Sequence, residues 1–499
     1  MPIAKNSMLE KLSHILFSSR VLLPDLLFGV VFLVIVAAIA FSQKLDTERT
    51  YVLFNVLIIS VLISIGFVFY AFFGFYKQYF ESGSVLFGQL IYLDSASLFF
   101  KLIISIASVA VLIHVWVVGY KVVGEFYAIF MALVWGLFIM TMTTNWLMLY
   151  VSLEMVSICS YILVVFNKGK NNSEAGIKYL LFGATSSAIM LYGISLLYGM
   201  TGTLNFVGQE FATFLAQNPT WIAQIAIFMT IGGLLFKLSA VPFHSWTPDV
   251  YEATPTPIVA FLSIAPKAAV VLVLIRLFSS LSIDFRMIMA IVIMASITIG
   301  NLSALWQTNT KRMLGYSTIA HAGFMLVGLL ATNTIGIQST IFYIATYLFI
   351  TLAAFLLIDL LALKTESYEL ESLRGLGQEN IFLGLAAVII MVALVGLPPT
   401  VGFTGKLLIF TALWESYQTS SSNMLLVVLI FGLLNTAISI FYYIKIPYFM
   451  IFKEPKIGVR YYQIGFIRKG FLLIFLFFII YLFMRPSGLL NLIESLKLA

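Results

Sequence analysis

The chain has little of what a water-soluble protein needs. Charged side chains make up 10% of its 499 residues, against about 25% in an ordinary soluble domain. So few charges cannot cover a water-facing surface of this size, which excludes a soluble fold. Cysteine is nearly absent. Cys159 alone cannot close an internal disulfide or hold an iron–sulfur cluster, which takes about four thiolates. It reads as a small buried residue in an apolar run, so this chain is not expected to carry electrons. No nucleotide-binding, metal or cofactor motif occurs in the sequence. A cleaved secretory leader is not expected either. Residues 1–20 are mixed and mildly basic, with Lys5, Lys11 and Arg20, and no small-residue cleavage pattern is obvious in the apolar run from Val21 to Ser42.

What is abundant is hydrocarbon. Hydrophobic residues make up 61% of the chain and mean hydropathy is +1.05, so lipid is the solvent for most of it. Many aromatics sit near the ends of apolar runs, as interfacial belts require. Runs of about 20 apolar residues can span a bilayer. They predict about fourteen transmembrane helices at 21–42, 51–74, 96–117, 122–143, 145–166, 174–199, 220–242, 256–280, 285–306, 313–331, 338–363, 380–416, 423–448 and 468–486. Segment 81–94 is too short and polar to span and reads as an outer loop or hairpin; 203–217 reads as a short interfacial helix. The connection Thr143-Thr144-Asn145 is so short that its flanking helices run antiparallel. No linker divides the chain, which is therefore an all-α polytopic bundle.

Loop charges orient that bundle. One side collects Lys44, Arg49, Lys121, Lys168, Lys170, Lys311, Arg312, Lys364, Arg374, Lys453, Lys456, Arg460, Arg468 and Lys469; the other has mainly Lys5, Lys11, Arg20, Lys77, Arg286, Arg485 and Lys497. The richer side is expected to face the cytoplasm, with both termini opposite, on the periplasmic side of a bacterial inner membrane. The sequence pI of 9.2 needs no nucleic acid to explain it.

Two helices are interrupted. The seventh reads Gly232-Gly233-Leu234-Leu235-Phe236-Lys237-Leu238-Ser239-Ala240-Val241-Pro242-Phe243-His244. The twelfth reads Gly396-Leu397-Pro398-Pro399-Thr400-Val401-Gly402-Phe403-Thr404-Gly405-Lys406. Each carries a lysine at a Gly/Pro break. Helices 4–8 and 9–13 form two sets of five, and an odd number inverts the second set relative to the first. The broken helix is fourth in each, as expected of inverted repeats with ion sites at discontinuous helices. The expected regions are 1–121 (helices 1–3), 122–280 (first repeat), 281–448 (second repeat) and 449–499 (helix 14). A loop splitting two shorter helices is the alternative at Pro398-Pro399.

A charge at membrane depth costs several kcal/mol. It is therefore paired, wetted, or both. Glu154 lies deep in 145–166, with Tyr150, Ser157 and Tyr161 on its helix face. Lys237, Lys267 and Lys406 are deep, His244 follows Lys237 at i+7, and His321 lies inside helix ten. Lys178 is near a helix end and suits a snorkelling lysine as well as a functional one. Burial disfavours the charged form of an amine and a nearby carboxylate favours it, so lysines tuned by a glutamate can load and release protons. Arginine cannot. Moving each charge against a potential costs about 2.3 kcal/mol per 100 mV, so the drive must come from a partner.

At these residues the sequence resembles the antiporter-like membrane subunits of respiratory complex I. The matching runs are Leu153-Glu154-Met155-Val156-Ser157, Ser173-Glu174-Ala175-Gly176-Ile177-Lys178-Tyr179, and Phe236-Lys237 through Trp246. The stretch Trp246-Thr247-Pro248-Asp249-Val250-Tyr251-Glu252-Ala253-Thr254-Pro255-Thr256-Pro257, continuing to Ala265-Pro266-Lys267, is similar to the subunit N type in particular. Gln307 through Gly323, with His321, also matches. The resemblance covers roughly residues 90–450; the first three helices and the last match only in hydropathy.

The resemblance implies a role for each residue. Glu154 would tune Lys237, the half-channel lysine of the first repeat. Lys267 and His321 would lie on a central hydrophilic axis, with Lys178 auxiliary to it. Lys406 would be the second-repeat lysine near release, and His244, Tyr161 and Ser157 would support the path. No cofactor or metal would bind here. Quinone and redox centres would belong to partner subunits, with neighbouring antiporter-like subunits and the lipid bilayer as contacts. Gly315 departs from an expected small residue such as alanine. The long lateral helix of the largest such subunit is expected to be missing. Competing readings are an Mrp-type sodium/proton antiporter subunit, against which Pro266-Lys267 argues, an independent secondary transporter for a small solute, and a structural scaffold.

Overall fold

The computed structural model describes residues 2–41, 83–166, 169–281, 285–455 and 464–497. The expected helix 51–74 lies outside them. The chain opens with α1 (Pro2–Val21) and α2 (Leu23–Phe41). The sequence reading had no helix in residues 1–20. The two helices meet at a 74° bend between Leu12–Val21 and Leu23–Ala37, and Pro24, which lacks a backbone N–H, suits the first turn of the new helix. Strands β1 (Ser84–Leu86) and β2 (Ile91–Leu93) form an antiparallel hairpin, as expected for 81–94.

Then follow α3 (Ser95–Val118), α4 (Gly124–Thr141), α5 (Trp146–Val164), α6 (Lys170–Thr201), the short α7 (Gln209–Gln217), α8 (Trp221–Leu238), the short α9 (Trp246–Ala253), α10 (Thr256–Ser280), α11 (Arg286–Leu305), α12 (Thr310–Leu330) and α13 (Thr334–Thr365). The chain closes with a single turn α14 (Leu376–Glu379), α15 (Ile381–Val395), α16 (Val401–Ser420), α17 (Asn423–Tyr443), α18 (Lys445–Phe452), α19 (Phe466–Met484) and α20 (Ser487–Glu494). Short polar residues punctuate the apolar runs by accepting orphan N–H groups. Asp94 caps α3 through Ser97 N, Asn145 caps α5, Asn309 caps α12 and Asn333 caps α13.

Among the described residues 11 helices are long and apolar enough to cross a membrane, or up to 12 if the bent α1–α2 pair is one span. Both expected interruptions are real breaks. The span expected at 220–242 stops at Leu238, where Ser239 takes a left-handed conformation (φ 65°), and the chain turns before α9. The run 380–416 divides into α15 and α16 at residues 396–400, with Gly396 at φ 84°. Neighbour relations recur in the two five-helix sets. Helix α4 packs on α5 as α11 does on α12, and α6 packs on α8 as α13 does on α16.

Burial sorts the helices. The most apolar stretch of α10 is wholly buried, and those of α12 and α13 are 94% buried, whereas those of α17–α18 and α19 are 28% buried. The first three therefore form the centre and the others the rim. Yet the centre is where Lys267, His321, Tyr343 and Tyr347 lie, so polar groups sit where lipid and bulk water are both excluded.

Candidate functional site

Lys237 is the penultimate residue of α8 and is buried. Its Nζ donates to Ser160 Oγ at 3.2 Å and Tyr179 OH at 3.3 Å. It also lies 5.5 Å from the Tyr161 ring centre and 5.3 Å from that of Tyr179. Tyr161 and Tyr179 meet edge to face at 4.7 Å. Glu154 stands on the same helix as Ser160, and its charge acts on the Lys237 amine. Glu154 Oε1 is buried with no hydrogen-bond partner among the described residues, the situation that ordered water usually resolves. Ser157 turns its hydroxyl to Leu153 O at 2.7 Å and so satisfies its own helix. His244 lies in the turn after α8, half-buried, with Nδ1 unpartnered.

A second group gathers around His321. Its Nδ1 is 2.6 Å from Tyr343 OH and its Nε2 is 3.0 Å from Tyr443 OH, while the Tyr347 ring lies 4.7 Å away. The charges of Lys267 and Lys406 both reach this imidazole. Lys267 is wholly buried and donates to Thr318 O at 3.3 Å. Lys406, in the second turn of α16, reaches back across the break to Val395 O at 2.6 Å and Leu394 O at 3.4 Å. These are open carbonyls at the C-terminus of α15, where the helix dipole favours a cation. His321, Tyr343, Thr346, Tyr347 and Lys406 line a cavity of about 10 Å³, room for roughly one water. Tyr251 of α9 is linked to the first group through Trp246, whose ring lies 6.4 Å from that of Tyr251 and 4.3 Å from that of Tyr179.

Lys178 joins neither group. Its side chain is 41% exposed and pairs with Asp249 at 2.8 Å and Glu174 at 3.0 Å. Arg312 extends this rim network to Asp249 at 2.7 Å and Glu252 at 2.9 Å. Burial alone would lift the Asp249 carboxyl, but the hydrogen bonds from Lys178 and Arg312 hold it below its ordinary value.

Sequence reasoning missed the hydroxyl partners Ser160, Tyr179, Tyr343, Tyr347 and Tyr443. Tyr343 and Tyr347 were findable, because i and i+4 share a helix face. It also passed over two buried charge pairs, Lys101–Asp25 and Arg276–Asp94, and the buried His114–Asp359 hydrogen bond. Lys101 and Arg276 sit inside predicted spans, so the signal was present. Lys311 was assigned to a basic loop; instead it is buried and its Nζ donates to Thr254 O at 2.5 Å.

The sequence pattern of the family described as NADH:quinone oxidoreductase/Mrp antiporter, transmembrane, matches residues 143–438. The NADH-quinone oxidoreductase subunit N 2 of Chloroherpeton thalassium is 36% identical over 455 residues, covering 87% of this chain and 86% of that protein. The chloroplastic NAD(P)H-quinone oxidoreductase subunit 2 of Mesostigma viride is 43% identical over 376 residues, 73% of this chain and 74% of that one. A chain of respiratory complex I from Thermus thermophilus superposes with a TM-score of 0.78 at 26% identity, over 95% of this chain and 100% of that one. A chain of the Mrp complex from Dietzia sp. DQ12-45-1b shares the fold at a TM-score of 0.81 and 18% identity, over 95% and 96%. The chain belongs to this NADH:quinone oxidoreductase/Mrp antiporter family, among the antiporter-like membrane subunits typified by subunit N.

Proposed function

We propose that this chain moves protons across a bacterial inner membrane as one subunit of a complex I-type NADH:quinone oxidoreductase, driven by quinone reduction in its partner subunits. The observation that carries the reading is the line of ionisable groups at the buried centre. Lys237 lies at one break and Lys406 at the other, Glu154 stands on α5 beside the first, and Lys267 and His321 are buried in α10 and α12, with Tyr179 on Lys237 and Tyr343 on His321. Groups this deep are costly unless they serve a path. Half-helices that end beside amines supply the polar backbone such a path needs. Lys178, held at the rim by Asp249 and Glu174, acts on the relay only through that network.

The subunit N relatives favour the redox-linked reading over an Mrp-type antiporter, for which the likeness is one of fold. The test replaces Lys237 and Lys406 singly by alanine in the assembled complex. Electron transfer and membrane energisation are then followed in vesicles. Each variant is expected to lose translocation. Normal translocation in both would refute the relay, and sodium-dependent energisation without quinone reduction would revive the antiporter.

A further inference from the structure

The break in the seventh span leaves α9 lying along α12, and the facing surfaces are polar in a helix made for lipid. Thr247, Tyr251 and Thr254 follow at i, i+4 and i+7 along α9, and Lys311, Gly315 and Thr318 follow at the same spacing on α12. The two rows meet in antiparallel order. Lys311 donates to Thr254 O, and a Cβ added at Gly315 would stand 3.1 Å from Pro248 Cα and 3.4 Å from Tyr251 Cβ. The far end, Thr318, accepts from Lys267. The hydroxyls of Thr247 and Thr254 are buried with no hydrogen-bond partner among the described residues. Orphaned buried hydroxyls at successive turns mark a place for water.

The near end of this seam meets a second buried cluster that the central line does not use. Asp359 of α13 is 2% exposed. Its Oδ1 accepts from Tyr120 OH and Tyr368 OH, each at 2.9 Å, and its Oδ2 lies 2.9 Å from His114 Nε2. On one side, the Tyr368 ring centre is 4.7 Å from Lys311 Nζ, and the Asp359 charge acts on that amine. On the other, Tyr120, Asp359, Leu363 and Tyr368 line a pocket of about 310 Å³ that opens to the surface. It lies at the end of the bundle that carries Lys121, Lys364 and Arg374. A buried carboxylate thus has an open pocket behind it and an amine before it, and the amine stands at the end of the polar seam.

We propose that Asp359, with His114, Tyr120, Tyr368 and Lys311, takes up protons from water on the basic side, and that the α9–α12 seam delivers them to Lys267. The inference rests on the proton-relay reading and supplies its inlet. A hydronium ion in the pocket gives a proton to the Asp359 carboxylate, which becomes the acid, and leaves as water. The acid passes it to the Lys311 amine once that has given its earlier proton to the seam, directly or through one water, and is a carboxylate again. The Lys311 ammonium releases it into the water of the seam and returns to the amine.

The test uses the assembled complex in vesicles, with electron transfer and proton uptake read together. Asp359→Asn is expected to slow proton uptake about tenfold or more, the scale on which a positioned proton carrier acts, and Asp359→Glu to restore most of it. Leu363→Cys, whose parent side chain lines the pocket and is 38% exposed, treated with a charged maleimide that does not cross the membrane, is expected to lose proton uptake, while the native chain is unaffected because Cys159 is buried. Normal uptake in Asp359→Asn beside impaired uptake in Lys237→Ala overturns the inlet and leaves the relay standing. Normal uptake in both Lys237→Ala and Lys406→Ala removes the relay and the inlet with it. If Asp359→Asn does not assemble, Thr254→Val and the labelled Leu363→Cys decide. Undiminished uptake in both overturns the inlet.

Discussion

The Lys101–Asp25 pair offers a quantitative check on how this bundle tolerates charge. Lys101 Nζ stands 2.7 Å from each oxygen of Asp25, and the side chains are 2% and 11% exposed. The N-terminus of α2 adds its dipole to the carboxylate side, and the Phe138 ring lies 5.7 Å from the amine. Lys101→Met strands a carboxylate between α2 and α3, and Asp25→Leu strands an ammonium. Each single loss should cost about 3–5 kcal/mol, which at 1.4 kcal/mol per tenfold is on the order of a hundredfold or more in the folding equilibrium. The double replacement strands nothing and fills the space with apolar atoms. It is expected within about 1 kcal/mol of the parent, because exchanging a buried pair for packed hydrocarbon is often neutral or better. The assay is tryptophan fluorescence during titration with SDS in mixed micelles, completed as a double-mutant cycle. A double variant as unstable as the worse single one would show that the cost lies in packing at this site, and the electrostatic reasoning would fail.

Two further outcomes follow. Gly315→Leu is expected to force α9 off α12 and cost about 1–3 kcal/mol through overpacking, whereas Gly315→Ala needs only a few tenths of an ångström; thermal midpoints of the two variants separate these cases, and equal losses would contradict the close approach. Asp249 is held below its ordinary value when folded, so its contribution is complete above the unfolded carboxyl value of about 3.9 and is lost as pH falls from there through the folded value. Asp249→Asn should flatten that acid limb in a series of thermal midpoints against pH, and parallel curves for variant and parent would show the rim network to be inert.

The parts of this molecule that follow from chain chemistry alone were legible in advance. Length and apolarity located the spans, and Gly/Pro breaks beside Lys237 and Lys406 located both interruptions. What stayed hidden depends on which helix faces which. Ser160 and Tyr179 serve Lys237 only because α5 and α6 pack against α8. Tyr443 reaches His321 across more than a hundred residues of sequence. Asp359 meets His114 only because α13 packs against α3. Lys178 lies between these cases. Its place near a helix end suited a rim lysine as well as a relay one, and the Asp249 carboxylate, which the sequence could not pair with it, holds it at the edge.

The two amines at the breaks rest on different kinds of oxygen. Ser160 and Tyr179 present hydroxyls to Lys237, and a hydroxyl can reverse, giving its hydrogen where it formerly received one. In the proposed relay, rotation about a single C–O bond would reset that junction after each passage. Val395 and Leu394 present carbonyls to Lys406, and a carbonyl can only receive. In the same relay the side chain itself would have to swing away and return, so the second junction would turn over at the pace of a moving arm.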